Sequence, residues 1–317
     1  MYNKILEAAA RLDGVAHKTP VLSSQILNDS IGGQAFFKCE NFQRMGAFKF
    51  RGAYNAISAL DPAVRARGVV TFSSGNHGMA VSLTARLLGI PAVVIVPQDA
   101  PPVKLAAIEG YGGQIVTYDR FREDRELIAK EYMERKGFTL IPPFDNEYVL
   151  AGQGTLAKEL FEEIGELDYL FVQIGGGGLI SGCAIAAKQL SPGCKVIGVE
   201  PEVSNDTYLS FKSGVRTKHP SPNSVADGLN TAIPGVITFP LIQKYVHDVI
   251  TVSEQEILKT MYHLWTRAKI MAEPSGATAF AAPFCGKIDV RGKKIAAVIS
   301  GGNVDVRLAS KFFEGMD

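Results

Sequence analysis

Residues 169–182, YLFVQIGGGGLISG, place four consecutive glycines between a short apolar run and a segment with helical periodicity. The apolar run predicts a buried strand, and LISG predicts the start of a helix. Glycines at such a junction leave backbone amides free to surround an anion, and the helix N-terminus adds a favourable partial charge. The stretch therefore predicts a phosphate-binding cup, although close packing of helix on sheet would also favour glycine. It is not a Walker loop, because Cys183 stands where that motif has lysine.

The same alternation of strand and helix continues along most of the chain. Apolar runs that predict further strands are GVVTF, PAVVIVP, QIVTYD, FTLIPP, CKVIGVEP and KKIAAVIS, and amphipathic segments separate them. This order predicts an α/β fold with mostly parallel sheets, helices on both faces, and ligands at the carboxyl ends of strands. We assign residues 61–145 to a small domain, and residues 1–60 together with 146–317 to a large domain that carries the glycine run. The GxGxxA pattern at residues 152–157, GQGTLA, follows no clear strand, so we interpret it as a helix entry.

Composition favours small-molecule chemistry. The 317 residues are 46% hydrophobic and carry a formal net charge of +1, which gives no electrostatic reason to expect nucleic acid or an anionic membrane as partner. Four cysteines without CxxC spacing indicate buried thiols in a reducing compartment, and hence a cytoplasmic location. The N-terminus lacks the long apolar core of a signal peptide, and no apolar run of about 18 residues predicts a membrane span.

A second stretch, GAFKFRG at residues 46–52, places Lys49 between Phe48 and Phe50 and ahead of Arg51. Burial and a neighbouring cation both lower the pKa of an ammonium group, and a neutral amine can attack carbonyls to form a Schiff base. The structural alternative is a half-buried helix whose lysine reaches water over its own stem. A phosphate cup, a candidate Schiff-base lysine and small-residue loops at FSSGNHG and ISGGN together suggest pyridoxal phosphate.

Seven motifs then carry a family resemblance over nearly the whole chain. In order they are ENFQRMGAFKFRGA, SSGNHG, GGGGLISG, VEPEVSND, VADG, EPSGA and SGGN. The chain resembles the fold-type II pyridoxal-phosphate enzymes, specifically the serine racemase and serine/threonine dehydratase family, including threo-3-hydroxyaspartate dehydratases. The resemblance implies the tryptophan synthase β-like fold, with two open, twisted, mostly parallel sheets flanked by helices. It implies a homodimer that racemises serine, threonine or threo-3-hydroxyaspartate, or dehydrates them to a keto acid and ammonia.

The resemblance also assigns residues. Lys49 would be the Schiff-base lysine, Asn76 would hydrogen-bond the cofactor's ring hydroxyl oxygen, and Ser300 would face the pyridine nitrogen. The amides that would hold the phosphate are those of Gly175, Gly176, Gly177, Gly178 and Leu179. Ser74 would exchange a proton on the face opposite Lys49, its alternative role being a turn hydroxyl. The remaining substrate contacts would be Ser73, His77 and Arg125, although a charged helix face could equally explain Arg125.

A divalent cation and a nucleotide are further expectations. Glu200 and Asp206 flank the sequence PEVSN, and relatives bind Mg²⁺, Ca²⁺ or Mn²⁺ at this motif with the carbonyl at Ser204 as third ligand. Two solvated acids are the alternative interpretation. The nucleotide site of animal racemases is matched at Lys104, Tyr111 and Asn303. Met79, however, replaces the usual glutamine there, and this departure weakens the case for activation by ATP.

Three other functions remain as alternatives. A cysteine synthase-like β-replacement shares the fold, but those relatives carry a TSGNTG-like loop where this chain has SSGNHG. A nucleotide-dependent oxidoreductase also uses glycine-rich loops, yet no acidic residue follows a proper GxGxxG strand here. A nonenzymatic binding protein could retain the cup alone.

Overall fold

The computed structural model describes residues 1–100, 102–119 and 121–316, and it contains two separate β-sheets. The described residues form ten strands: β1 (Val21–Leu22), β2 (Gln34–Cys39), β3 (Val69–Phe72), β4 (Ala92–Pro97), β5 (Gln114–Tyr118), β6 (Thr139–Leu140), β7 (Tyr169–Gln173), β8 (Lys195–Pro201), β9 (Asp248–Val252) and β10 (Lys294–Ile299). Six of them build one sheet and four build the other.

Fourteen α-helices in the described residues cover these sheets. They are α1 (Tyr2–Leu12), α2 (Gln25–Ile31), α3 (Lys49–Ser58), α4 (Pro62–Arg65), α5 (Asn76–Leu88), α6 (Pro102–Gly110), α7 (Arg125–Lys136), α8 (Glu147–Ile164), α9 (Gly178–Leu190), α10 (Asp206–Ser213), α11 (Thr238–Tyr245), α12 (Glu254–His263), α13 (Pro274–Phe284) and α14 (Val306–Phe313). Across the described part of the chain, none of them combines the length and the apolar content that crossing a membrane requires.

The two sheets are almost entirely parallel. The larger has the order β1-β2-β10-β7-β8-β9, and β1 alone among its described strands runs antiparallel. The smaller has the order β5-β4-β3-β6, and its pairs are all parallel. Because helices cover both faces of a parallel sheet, its strands carry apolar residues on both sides, and β4 is accordingly buried from Ala92 to Val96. The predicted α/β fold class is confirmed.

Three strands were not predicted, and one helix begins earlier than expected. The strands β1, β2 and β9 were not predicted: β1 has only two residues, Lys38 breaks the apolar run of β2, and β9 offers only the short run VITV after Asp248. The GQGTLA pattern is not a helix entry, since α8 begins five residues earlier, where the side chain of Asn146 caps the amides of Tyr148 and Val149. The strands of the smaller sheet fall between residues 69 and 140. The domain boundaries at residues 60 and 145 stay a prediction.

The carboxyl ends of β7 and β10 are neighbours in the larger sheet, and the loop after β3 of the smaller sheet lines the same cavity as the loops after them. The loop SSG follows β3, the glycine run follows β7, and SGGN follows β10. Apolar clusters pack on both faces of each sheet and hold these strand ends in register. The fold therefore gathers the three small-residue loops that the sequence singled out.

Candidate active site

One cavity of about 470 Å³ lies where these loops meet. Its volume is within the range of small-molecule sites, which is roughly 300–1,000 Å³. Every residue predicted to touch cofactor or substrate lines it: Lys49, Ser73, Ser74, Asn76, His77, Arg125, Gly175, Gly176, Gly177, Gly178, Leu179 and Ser300. The structure therefore brings together, in a single chamber, side chains that are up to 251 positions apart in sequence (300 − 49).

Lys49 is the first residue of α3 and is half-buried at the wall of the cavity. Its Nζ donates a hydrogen bond of 2.8 Å to the carbonyl of Pro143 and lies 5.2 Å from the centre of the Phe48 ring. Burial lowers the pKa of this amine to about 8. A substantial fraction of Lys49 is thus neutral near pH 8, as a nucleophilic amine requires.

Arg51 does not contribute to that shift, and the sequence-based expectation was wrong on this point. Its guanidinium is fully buried and pairs with Glu40 at 2.8 Å and with Glu159 at 2.6 Å. The two carboxylates neutralise the arginine charge, so Lys49 experiences burial alone. Phe50 packs in an apolar cluster of the core, so of the two phenylalanines that flank Lys49 in sequence, Phe48 alone lines the cavity.

The chain before Lys49 is fixed by backbone contacts to the loop after β10. The amide of Phe48 donates to the carbonyl of Ser300 at 2.9 Å, and the amide of Gly302 donates to the carbonyl of Gly46 at 3.0 Å. Gly46 has a φ of +75°, which favours glycine. Because these bonds join the two loops, Lys49 and Ser300 keep a fixed spacing across the cavity.

The glycine run forms a closely packed turn into α9. A Cβ at Gly176 would lie 2.2 Å from the ring of Phe144, and one at Gly177 would lie 2.8 Å from Thr238 Oγ1. Gly177 also has a φ of +90°. The first amides of a helix have no acceptor within the helix, so those that follow Gly177 are available to an anion. The run therefore has the shape that the phosphate cup requires.

Asn76, the first residue of α5, is held at both ends of its amide. Its Nδ2 donates to Glu273 Oε1 at 2.7 Å, and its Oδ1 accepts from Asn303 Nδ2 at 2.8 Å. One hydrogen of Nδ2 remains to donate to a ligand. Burial, followed by the charge of Asp227, raises the pKa of Glu273 to about 8. This carboxyl is therefore largely protonated at neutral pH.

The SSGNHG loop presents hydroxyls to the cavity. Ser73 Oγ accepts the amide of Gly75 at 3.2 Å and so shapes the turn, while Ser74 also lines the chamber. His77 is buried, and its Nε2 donates to the carbonyl of Ile141 at 2.9 Å. Burial, and next the charge of Lys49, lower the pKa of His77 to about 3. The imidazole is neutral and offers no positive charge to a carboxylate.

Arg125 stands at the cavity wall at the start of α7. Its guanidinium lies 4.8 Å from the centre of the Phe72 ring, over the end of β3. Nearby, Lys104 forms an ion pair with Asp227. Arg125 thus lines the cavity at the first turn of its helix, and does not lie only on a solvated face.

The predicted metal residues do not line this cavity: Glu200 lies in β8, Ser204 in the loop that follows, and Asp206 is the first residue of α10. Glu200, Ser204 and Asp206 are all fully buried, and both carboxylate oxygens of Asp206 lack a hydrogen-bond partner among the described residues. Burial raises the pKa of Asp206 to about 7 and that of Glu200 well above its usual range, the charge of Asp206 adding to the second shift. No group of three or more His, Cys, Asp or Glu in the described residues could hold a metal, so a cation here would also need carbonyls or water.

Several cavity residues were not assigned from the sequence. Glu273 begins the motif EPSGA, and Asp227 lies in VADG, so the signal was present but had no assigned role. Gln153 and Gln173 line the cavity with Nε2 and Oε1, respectively, buried and without a partner among the described residues. Such orphaned polar atoms are costly unless a ligand or water pairs with them.

These features fit pyridoxal phosphate. The chamber offers an amine of lowered pKa for its aldehyde, a glycine cup for its phosphate, and an oriented amide donor at Asn76 for a ring oxygen. The unpaired amide atoms of the two glutamines give the same chamber further polar contacts for a ligand. We find no feature of the described cavity that opposes this cofactor.

Comparisons with known proteins agree with this geometry. Residues 12–301 match the model of the family described as pyridoxal-phosphate dependent enzyme. The L-threo-3-hydroxyaspartate ammonia-lyase of Saccharomyces cerevisiae is 49% identical over 316 residues, covering 100% of this chain and 97% of the relative. The serine racemase of Schizosaccharomyces pombe is 51% identical over 311 residues, which cover 98% of this chain and 96% of the relative.

Solved structures give the same result at the level of the fold. The structure of maize serine racemase superposes with a TM-score of 0.94 at 41% identity, covering 99% of this chain and 97% of that one. The resemblance inferred from the seven motifs, including the fold-type II architecture, is therefore confirmed. The chain belongs to the pyridoxal-phosphate-dependent enzyme family.

Proposed function

We propose that this enzyme racemises small β-hydroxy amino acids, or dehydrates them to a keto acid and ammonia, with serine, threonine and threo-3-hydroxyaspartate as candidate substrates. The observation that carries the proposal is the single chamber that holds the Lys49 amine, the glycine cup and the two serines of SSGNHG. The names of its relatives, serine racemase and L-threo-3-hydroxyaspartate ammonia-lyase, support this substrate class.

When bound, pyridoxal phosphate supplies an aldehyde for covalent capture of amines and a ring that withdraws the electrons of the Cα–H bond. Lys49 would hold the cofactor's aldehyde, and its free amine would be the base that takes the α-proton. Its pKa of about 8 lets it accept and return a proton near neutrality. Pro143, whose carbonyl accepts from Nζ, keeps the free amine directed along one wall of the chamber.

The other cavity residues would bind the cofactor ring and the substrate carboxylate, and one of them would exchange a proton with the substrate. Ser300 lines the cavity and would meet the ring nitrogen with a hydroxyl, which could not hold that nitrogen protonated as a carboxylate would. With that partner the cofactor would supply a weaker electron sink, a setting that favours rapid elimination or reprotonation. Ser73, Ser74 and the backbone around His77 receive the substrate carboxylate, and Ser74 exchanges a proton on the face away from Lys49. A hydroxyl is a weak acid and base, so its proton must pass on to the phosphate or to water.

A substrate panel tests the proposal. Cofactor-loaded protein is incubated with L-serine, D-serine, L-threonine and L-threo-3-hydroxyaspartate, and keto acid, ammonia and inverted amino acid are quantified with chiral separation. A parallel incubation offers O-acetylserine and sulfide, the reactants of a β-replacement enzyme. Keto acid or inversion from at least one β-hydroxy substrate supports the proposal. Cysteine formation alone, or no reaction of any substrate, would overturn it.

We also propose that a divalent cation, with Mg²⁺ as first choice and Ca²⁺ or Mn²⁺ as substitutes, binds Glu200, Asp206 and the carbonyl of Ser204. The support is the pair of unpartnered Asp206 oxygens in a fully buried position. Buried charges without partners are strongly unfavourable, and a hard cation with oxygen ligands would neutralise them. The fold would then include the cation as a structural component.

The pH dependence of stability checks this cation site. In the cation-free protein the pKa of Asp206 is about 7, against an ordinary value of 3.8. Because the unfolded chain then loses its proton at lower pH than the folded one, the free energy of unfolding should fall as pH rises from about 4 to about 7. Saturating Mg²⁺ should remove this slope and raise the melting temperature at pH 7. Asp206→Asn should abolish the response to Mg²⁺ and reduce the pH slope, leaving the part that the raised pKa of buried Glu200 contributes. A melting temperature indifferent to chelator and Mg²⁺ would contradict the site.

Arg125→Lys tests substrate discrimination. We propose that the guanidinium holds the β-carboxylate of hydroxyaspartate through two parallel hydrogen bonds, which an ammonium cannot reproduce. The kcat/KM for L-threo-3-hydroxyaspartate should fall at least about tenfold, while that for L-serine should change by about twofold or less. If both substrates are equally unaffected, Arg125 does not contact the substrate.

The remaining assignments rest on the resemblance and on the cysteines. We propose a homodimer, with the cofactor bound by the domain of residues 1–60 and 146–317. All four cysteines are free, which supports a reducing compartment such as the cytoplasm. Of the residues matched to a nucleotide site, Asn303 is already bonded to Asn76 and Lys104 to Asp227. Activation by ATP would have to rearrange these contacts.

A further inference from the structure

Three consecutive residues after β6 touch three different parts of the site. The carbonyl of Pro143 accepts from Lys49, the ring of Phe144 lies against Gly176, and the carboxylate of Asp145 faces the segment before α11. The first two contacts belong to the cavity described above. Asp145 does not line the cavity, and nothing in the sequence pattern gave it a role.

Asp145 binds three successive backbone amides. Its Oδ2 accepts from Val236 at 2.9 Å, and its Oδ1 accepts from Ile237 at 2.8 Å and from Thr238 at 3.3 Å. A Cβ at Gly235 would lie 2.3 Å from the same Oδ1, so the chain comes very close to the carboxylate there. A negative charge that accepts several amides at a helix N-terminus forms short and strong hydrogen bonds. Asp145 therefore fixes the backbone of residues 235–238.

That segment in turn contacts the glycine cup from outside the cavity. The fully buried Thr238 donates from Oγ1 to the carbonyl of Gly176 at 2.7 Å, and the amide of Gly235 donates to the same carbonyl at 3.4 Å. In a planar trans peptide the C=O and the following N–H point in opposite directions. With the Gly176 carbonyl held by Thr238, the amide of Gly177 must point the other way, into the cavity.

We propose that Asp145 is a positioning residue for the cofactor's phosphate, acting through Thr238 and the carbonyl of Gly176 to aim the Gly177 amide. The inference rests on the proposed role of the glycine run as the phosphate cup. It goes beyond that role by naming the two side chains that set the orientation of its central peptide. Without them the Gly176–Gly177 peptide can rotate, and its carbonyl oxygen would then repel the anion.

The alternative is that Asp145 only caps α11 and stabilises the fold. The two roles differ in what they do to a ligand without phosphate. Loss of a general structural contact should lower the affinity for pyridoxal and for pyridoxal phosphate by similar factors, because both ligands use the same amine and ring contacts. Loss of phosphate positioning should weaken pyridoxal phosphate alone.

The test is equilibrium titration of the cofactor-free protein with each ligand, followed by visible absorbance, for Asp145→Asn, Thr238→Val and the double variant. We expect the affinity for pyridoxal phosphate to fall at least about tenfold in each single variant, with pyridoxal changed by about twofold or less. The double variant should lose little more than the worse single one, since both act on one carbonyl. Asp61→Asn, which removes the exposed cap of α4, should change neither affinity.

A parallel loss of both ligands, or no loss of either, would overturn the inference. If Asp145→Asn fails to fold, the titrations of Thr238→Val alone test the inference. That variant keeps the side-chain volume and leaves Asp145 bonded to the amides that precede α11. Wild-type protein that captures neither ligand would instead refute the proposed function, so the two failures are distinguishable.

Discussion

Lys49→Ala is expected to lower turnover of every substrate by at least about a thousandfold and to remove the visible absorption band of the lysine-bound cofactor. Among the residues that line the described cavity, the other lysine is Lys104, which is tied to Asp227 in an ion pair. No second amine is therefore placed to replace Lys49 in both covalent capture and proton removal. The loss should appear in kcat, because the proton transfer itself is removed.

A matched control separates this effect from general loss of a positive charge. Lys188 is exposed on the last turn of α9, and Lys188→Ala should keep wild-type turnover. Cofactor-free Lys49→Ala should still fold, since burial of an ammonium opposes folding and its removal does not leave a partner charge unpaired. A folded Lys49→Ala protein with full turnover would refute the proposed mechanism.

Ser74→Ala is expected to split the two activities. Racemisation needs proton exchange on both faces of the α-carbon, whereas dehydration of an L-substrate needs Lys49 alone. Dehydration of L-serine or L-threo-3-hydroxyaspartate should stay within about tenfold, a barrier change near 1.4 kcal/mol, while racemisation and any action on D-serine fall at least about a hundredfold. Chiral analysis of products with both enantiomers as substrate measures the ratio directly.

Ser73→Ala is the control for loop geometry. Ser73 Oγ accepts the amide of Gly75, so its removal should loosen the turn and lower both activities by similar factors. If Ser74→Ala behaves in the same way, Ser74 is a pocket residue and not a proton donor. Undiminished racemisation in Ser74→Ala would place the second base elsewhere.

Much of the fold and of the cavity could be predicted because parallel strands leave a strong local signal. The runs that form β3, β4, β7, β8 and β10 are apolar on both faces, and the loops at their carboxyl ends carry the small residues that ligands require. The glycine run and the SSGNHG loop could therefore be singled out from local pattern, whereas the roles of Lys49 and Ser74 came from the family resemblance. The glycine run follows β7 and SSGNHG follows β3, while Lys49 reaches the site through the backbone contact of Phe48 with Ser300 after β10.

What could not be predicted depends on contacts between distant positions. Arg51 was expected to act on Lys49, but it is paired with Glu159, 108 residues away. Asp145 binds amides 91 to 93 residues further along the chain. The spacing of residues in sequence does not show which charges form pairs in the folded protein. The ion pairs around the site could therefore be identified only from the structure. The lowered pKa of Lys49 was predicted correctly, although one of its two stated causes was wrong.

The most direct test of the central claim is borohydride reduction of the cofactor-loaded protein followed by peptide mass mapping. Reduction turns the bond between an amine and pyridoxal phosphate into a stable secondary amine, which marks the residue that holds the cofactor. The account predicts one pyridoxyl group per chain, on Lys49, and none in Lys49→Ala. A pyridoxyl group on another residue such as Lys104, or a protein that retains no cofactor after loading, would contradict it.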